Sequence, residues 1–305
     1  MQLREALKTA LKTLVESGVP SPQLAAELLL MHVLGRDRGY LYTYPEVEIS
    51  EEITSCYFQF VDQRAMGKPT QYITGHQEFW GLDLEVTPDV LIPRPETEHV
   101  VEAVIDLAQR QGFNREAPLR MVDVGTGSGC IALALAAEFP RAILFATDIS
   151  RPALDVASRN AAQLGMAERV KFLESDLLAC FLDARASGQD FNQGVNESVL
   201  SPFDFVVSNP PYVARGELDK VQREVREFEP QLAWGGLERG DEVYRRLIPQ
   251  ARAVLKPRGW LIVEIGYTMG ETVPALLGDG WTQIEVRPDL AGIPRVVVAR
   301  LGAGC

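Results

Sequence analysis

Histidine is nearly absent: the 305 residues contain three, His32, His76 and His99, at spacings that match no metal-ligand pattern. Cysteine is scarce as well. Cys56, Cys130, Cys180 and Cys305 lie scattered without C-x-x-C spacing, which argues against a zinc site or a disulfide framework and suits a reducing compartment. No apolar run approaches the roughly 20 residues that cross a bilayer. The opening Met1-Gln2-Leu3-Arg4-Glu5 turns acidic at once and does not read as a signal peptide. A cytoplasmic protein with no membrane contact is the expectation. Basic residues are in deficit, with 30 Lys and Arg against 42 Asp and Glu and a net charge of −12. A polyanion is gripped through a basic footprint, so this balance tilts the partner toward protein or a small molecule and away from direct nucleic-acid binding.

What is present changes texture along the chain. Residues 1–70 read as a small helical domain. Leu3, Leu7, Ala10, Leu11 and Leu14 recur at helical spacing until Gly18 and Pro20. Ser21 and Pro22 then suit a cap and first helical position, with Leu24, Leu28, Leu29 and Val33 as the next apolar face. Ser50 caps a third helix with Glu51 and Glu52 in its first turn. Residues 71–92 read as a β-hairpin linker, punctuated by Gly75, Gly81 and Pro88. From 93 to 305, apolar strands are expected at 119–124, 142–147, 170–173, 203–208, 260–265, 281–287 and 295–300, with helices between most of them. Such alternation predicts an α/β domain with a mostly parallel seven-stranded sheet, one strand running antiparallel. Residues 183–201, rich in Gly, Ser, Asn and Gln, read as a surface loop.

Gly125-Thr126-Gly127-Ser128-Gly129 follows the first of these strands and opens a helix at Cys130. Alternating glycines let the backbone turn sharply and lie against a ligand at the switch point of an open sheet. Neither G-x-G-x-x-G nor the Lys of a P-loop is present, so no pyrophosphate need be cradled. Asp148, ending the next strand, suits the ribose hydroxyls of an adenosine, and Asp176, after the third strand, its adenine amino group. Together these predict an adenosyl site. A plain chain reversal with helix-capping acids is the bland alternative.

The fourth strand ends in Asn209-Pro210-Pro211-Tyr212. Two prolines lack backbone donors and leave nearby carbonyls to accept, while Asn209 adds a side-chain oxygen. Two coplanar acceptors hold an N–H₂ group by both hydrogens, and Tyr212 offers an aromatic face to a planar group. An amide nitrogen is a poor nucleophile; directing its N–H bonds into acceptors aligns it and raises its electron density. Transfer from a sulfonium then needs alignment more than acid–base chemistry, and no metal.

With these residues in view, the chain resembles the class I, Rossmann-like, S-adenosylmethionine-dependent methyltransferases. More narrowly it resembles the bacterial release-factor glutamine N5-methyltransferases, the PrmC/HemK family. The resemblance rests on Gln71-Tyr72-Ile73-Thr74-Gly75 with Glu78-Phe79, on Leu91-Ile92-Pro93-Arg94-Pro95-Glu96-Thr97-Glu98, and on the glycine loop. It continues through Asn209 to Tyr212, Phe228-Glu229-Pro230 and Glu264-Ile265-Gly266. It implies that Gly125, Thr126, Gly127, Ser128, Gly129, Asp148, Asp176, Leu177 and Asn209 bind S-adenosyl-L-methionine, with S-adenosyl-L-homocysteine as product. Asn209, Pro210, Pro211 and Tyr212 would bind the substrate glutamine, and Asn209, Pro210 and Tyr212 would be catalytic. The implied partner is a class-1 peptide chain release factor, methylated on the glutamine of its Gly-Gly-Gln loop, which modulates translation termination. The helical domain would help to dock it, with the enzyme a monomer.

Two departures stand out: Leu177 where some members carry an aromatic residue, and Gly235-Gly236-Leu237-Glu238-Arg239-Gly240-Asp241 in place of G-G-x-D-G-L. Arg94, Glu96 and Glu98 read equally as docking or gating residues and as an ordinary helix start. The Asn209–Tyr212 tetrapeptide also occurs in enzymes that methylate exocyclic amino groups of DNA or RNA. That alternative calls for a basic stripe near the N-terminus, where residues 1–80 instead carry seven Lys/Arg against ten Asp/Glu. A non-catalytic adenosyl-binding module would predict a damaged loop or tetrapeptide, and both are intact.

Overall fold

Leucine and alanine at three- and four-residue spacing bury one face of helix Leu3–Glu16, where Leu3, Ala6, Ala10 and Leu14 are inaccessible. The computed structural model describes residues 1–187 and 201–304. Contacts divide it into two units, Met1–His76 with Gln222–Phe228, and Gln77–Val221 with Glu229–Cys305.

In the first unit, helix Pro22–Leu34 starts where expected, with Pro22 at its first position, but buries a different face. Ser21 occupies the cap position at φ +48° without a side-chain cap bond. The buried face is Ala25, Ala26, Leu29 and Leu30, whereas Leu24 is exposed and Leu28 and Val33 are half-buried. Apolar residues ring this helix almost completely, so spacing alone does not choose a face. The small Ala25 and Ala26 admit a close neighbour, and the Tyr57 hydroxyl donates to the Ala26 carbonyl at 3.0 Å. A helix that spacing does not reveal, Arg38–Thr43, is capped by Asp37, which accepts from the Tyr40 N–H at 2.8 Å. Six residues are too few for a period to show. Helix Glu51–Ala65 starts as expected, Ser50 accepting from the Ile53 N–H. Its Arg64, almost fully buried, pairs with Glu224 at 2.9 Å; burial lowers the guanidinium pKa and Glu224 opposes that shift.

From His76 onward the chain forms eleven described strands: β1 (His76–Phe79), β2 (Leu82–Glu85), β3 (Arg120–Val124), β4 (Ile143–Asp148), β5 (Val170–Glu174), β6 (Phe203–Ser208), β7 (Val213–Ala214), β8 (Gly235–Leu237), β9 (Leu255–Glu264), β10 (Trp281–Pro288) and β11 (Pro294–Leu301). Seven form one sheet in the order β10-β11-β9-β6-β3-β4-β5. β11 runs antiparallel to both neighbours, while the pairs from β9 to β5 are parallel. This is the expected architecture. Alternate residues feed opposite faces: Met121, Phe205 and Ile262 pack on helices Glu98–Arg110 and Cys130–Glu138, and Val122, Val206 and Leu261 on helix Glu242–Val254. The expected loop at 183–201 is corrected in part, because 183–187 complete helix Ala179–Ser187; 188–200 lie outside the described residues.

Strand order decides where a ligand can enter. β4 and β6 flank β3 on opposite sides, so the connections leaving their carboxyl ends diverge and open a crevice there. Behind it, Phe145, Phe181 and Phe203 meet edge to face at 5.0–5.6 Å, with the Arg120 guanidinium over two of the rings. Phe145→Ala should therefore destabilise the second unit by about 3–5 kcal/mol. All four tryptophans lie in it, so urea unfolding followed by tryptophan fluorescence reads the loss directly. An unchanged midpoint would show that the ring cluster is not a source of stability.

Candidate active site

The crevice holds a cavity of about 310 Å³, within the range of small-molecule sites. Of the residues singled out in the sequence, Gly125, Thr126, Gly127, Ser128, Asp148, Asp176, Leu177, Asn209 and Pro211 line it. Gly129, Pro210 and Tyr212 do not. Gly129 turns inward: at φ +86° it packs on the next helix, where a Cβ would crowd Ala157 and Leu133. Pro210 is buried, and Tyr212 faces the sheet.

The loop is held from both sides. Gly125 and Thr126 donate their N–H groups to the Thr147 carbonyl at 2.8 and 3.0 Å. The Asp148 carboxylate accepts Gly127 N–H on Oδ2 and Ser150 N–H on Oδ1, each at 2.9 Å. A carboxylate offers about four acceptor sites, so beyond its backbone donors Asp148 keeps acceptor capacity beside the cavity. Its burial raises the pKa, and the three backbone N–H bonds pull it back. Beneath the loop, Asp123 Oδ2 accepts the Thr126 hydroxyl at 2.6 Å and Ala132 N–H at 3.2 Å; full burial pushes this carboxyl up to about 7. Asn160 ties the loop to the hairpin by donating to the carbonyls of Ser128 and Glu85 and accepting from Glu85 N–H.

Asp176 forms an ion pair with Arg246, a partner that nothing in the sequence announces. Leu177 adopts φ +54°, a left-handed conformation that costs a non-glycine residue about 1–2 kcal/mol. Strained residues of this kind collect at ligand sites.

Asn209 follows β6, whose Ser208 hydroxyl donates to the Val124 carbonyl at 2.6 Å and locks the ends of β6 and β3 together. The Asn209 Nδ2 donates to Thr97 Oγ1 at 3.0 Å, and Thr97 Oγ1 donates to Glu264 Oε2 at 2.7 Å. The other oxygen of Glu264 accepts the Tyr212 hydroxyl at 3.2 Å. Burial raises the Tyr212 pKa, with the Glu264 charge adding to it, and pushes Glu264 up to about 7. The departing stretch Gly235–Asp241 lends Gly235 and Leu237 to the cavity wall and shapes the turn after the tetrapeptide. β8 pairs with β7 directly after the tetrapeptide, and Gly240, at φ +86°, lies where any Cβ would run into the Tyr212 carbonyl. Asp241, buried, is held by Arg245 at 2.7 Å, which lowers its pKa.

Sequence reasoning missed the roles of Thr97, Glu229 and Glu264, although all three stand in motifs that carry the family resemblance. Glu229, buried, accepts from Ile92 N–H at 3.2 Å and from the Arg94 guanidinium at 2.5 Å, so it fastens the segment before helix Glu98–Arg110 to the cavity wall. Arg94 lines the cavity; Glu98 instead accepts from Trp80 N–H at 2.8 Å and braces the hairpin. The available signal was an acid ending an apolar strand beside the strand that carries Asn209. Among the described residues, no group of three or more His, Cys, Asp or Glu is placed to hold a metal, and no helix is long and apolar enough to cross a membrane.

The chain matches two family models, the PrmC N-terminal domain over residues 5–75 and the methyltransferase small domain over 110–237. It is 49% identical over 300 residues to the release factor glutamine methyltransferase of Koribacter versatilis, covering 98% of this chain and 99% of that one. It is 40% identical to the protein of the same name from Moorella thermoacetica, with 98% of each chain covered. Among solved structures, the hMettl16 catalytic domain superposes with a TM-score of 0.51 at 17% identity, covering 81% of this chain and 82% of that one, a likeness of fold.

The polar frame of the cavity can be tested without a ligand. Glu229→Gln removes the charge that holds Arg94 and should lower stability by about 1.5–3 kcal/mol. Urea unfolding checks this, and no measurable change would show that the segment is held by packing alone.

Proposed function

The chain belongs to the release factor glutamine methyltransferase family, and on that premise we propose that it transfers a methyl group from S-adenosyl-L-methionine to the glutamine N5 of the Gly-Gly-Gln loop in class-1 release factors. One observation carries this reading. The Asn209 carboxamide gives its N–H₂ to Thr97 and leaves its oxygen uncommitted at a cavity lined by the glycine loop. An oxygen so held is an acceptor for a planar N–H₂ group, the chemistry that a glutamine side chain offers.

The residues present fit the cofactor. Gly125, Thr126, Gly127 and Ser128 would approach it through backbone, with Gly129 turning the chain into the helix behind them, Asp148 through its remaining acceptor capacity, and Asp176 and Leu177 at the adenine end. Bound there, S-adenosylmethionine supplies an electrophilic methyl on a sulfonium. This chain's part is alignment: Asn209 and the backbone around Pro210 and Pro211 draw the amide hydrogens away and aim the nitrogen lone pair, while Tyr212 braces the turn. Ile149 and Leu232, exposed on the cavity lining, give a peptide loop apolar purchase. The helical N-terminal domain would dock the release factor, with the enzyme a cytoplasmic monomer that needs no nucleic acid.

The test is transfer of labelled methyl to purified release factor, with a Gln→Asn change in its Gly-Gly-Gln loop as control. Labelling of the unaltered factor alone is expected; labelling of RNA or DNA instead would replace this reading with exocyclic amino methylation. Asn209→Ala should lower kcat by about 10²–10³-fold while cofactor affinity by calorimetry stays close to normal. Near-normal turnover would remove Asn209 from the mechanism.

A further inference from the structure

The network behind the cavity makes the direction of the Asn209 carboxamide depend on a residue that touches neither substrate nor cofactor. An ionised carboxylate only accepts, so Thr97 must donate its one hydroxyl proton to Glu264. Thr97 Oγ1 is then left with lone pairs alone, and the group it receives from Asn209 has to be the N–H₂ end. Thr97 and Glu264 are 2% exposed, and Asn209 is half-buried at the cavity. The link between Thr97 and Glu264 is thus shielded from solvent, which fixes the order of donors behind the cavity.

We propose that Glu264, acting through Thr97, is the positioning residue that keeps the Asn209 amide oxygen turned toward the substrate nitrogen. This rests on the glutamine-methylating reading of the site. If Glu264 takes up a proton, its carboxylic acid donates to Thr97 Oγ1. The Thr97 hydroxyl is then released to donate in turn, and its best acceptor is Asn209 Oδ1 after a half-turn of the amide. The N–H₂ of Asn209 then faces the N–H₂ of the substrate, donor against donor, and the glutamine is no longer held. No atom leaves the network and no bond is made or broken other than this one protonation.

The charged and titratable groups facing Glu264 come from several elements. Glu96 lies on the turn before helix Glu98–Arg110, Arg295 on β11, Tyr212 after β6, and Tyr244 on helix Glu242–Val254; the Cys130 thiol feels the same charge. Burial and Glu96 favour the protonated carboxyl, and Thr97, Tyr212 and Arg295 the ionised one, leaving it at about 7. The orientation is therefore kept above that pH and lost as pH falls through it.

Two measurements test this. In the first, kcat for release-factor methylation is followed from acid to alkaline pH for the wild type, Thr97→Ser, Thr97→Val and Glu264→Gln. The wild type should show an acid limb near pH 7, and Thr97→Ser, which keeps the hydroxyl, should retain both limb and rate. Thr97→Val should lose about 10²-fold in kcat with cofactor affinity little changed. Glu264→Gln should lose rate and the limb together. Thr97→Val with the wild-type rate, or an acid limb that survives Glu264→Gln, would overturn the proposal. The second measurement needs no substrate: the side-chain N–H₂ resonances of Asn209, assigned by their loss in Asn209→Ala, are followed with pH. They should titrate in the wild type and Thr97→Ser and stay fixed in Glu264→Gln; titration unaltered by Glu264→Gln would also overturn it. A wild type that shows the titration but methylates no release factor would refute the functional reading and leave the positioning role standing.

Discussion

Strand β3 can have only two neighbours, and the chain places β4 on one side and β6 on the other. Their connections must part company at the carboxyl edge, and the gap that results is why a ligand-sized space exists at a sheet otherwise covered on both faces. The candidate site is fastened to that edge. The glycine loop is pinned to Thr147 and Asp148 at the end of β4, Asn209 follows the Ser208 lock to β3, and Glu264 ends β9, one strand further out. Each is positioned by sheet register before any side-chain contact is made.

Four acids are buried near that cavity. Asp123, Glu229, Asp241 and Glu264 are all almost inaccessible. A carboxylate taken out of water is tolerated only when donors replace the water. The four are treated differently. Asp241 and Glu229 face guanidinium groups, and Asp241 stays firmly ionised. Asp123 and Glu264 receive mainly hydroxyl and N–H donors, too little to offset burial, and both end near neutrality. The first pair holds segments of chain in place, whereas the second keeps the freedom to change state.

The sheet was legible because its strands are apolar on both faces and separated by helices, and because glycines 125, 127 and 129 follow the first strand. Asp148 and Asn209 were legible for the same reason: a polar residue closing a buried strand has few other uses. Thr97, Glu229 and Glu264 were not, since their partners lie far away in sequence and no local spacing encodes a hydrogen bond from Thr97 to Glu264. The face of helix Pro22–Leu34 was misread where leucine occurs on every side, so that alanine, not leucine, marks the tight contact. The role of Gly240 became visible only once the Tyr212 carbonyl was seen against it.

The first unit takes Gln222–Phe228 from the far side of β6, and Glu224 in that stretch is the partner of the buried Arg64 guanidinium. During synthesis the ribosome delivers Arg64 long before Glu224. At about 5–20 residues per second the helical unit waits roughly ten to thirty seconds for the piece that completes it. In that interval Arg64 has no carboxylate to justify its burial, so the helices emerge first but are finished only after four of the seven sheet strands have been made. The order of elements along the chain is thus not the order in which the two units reach their final form.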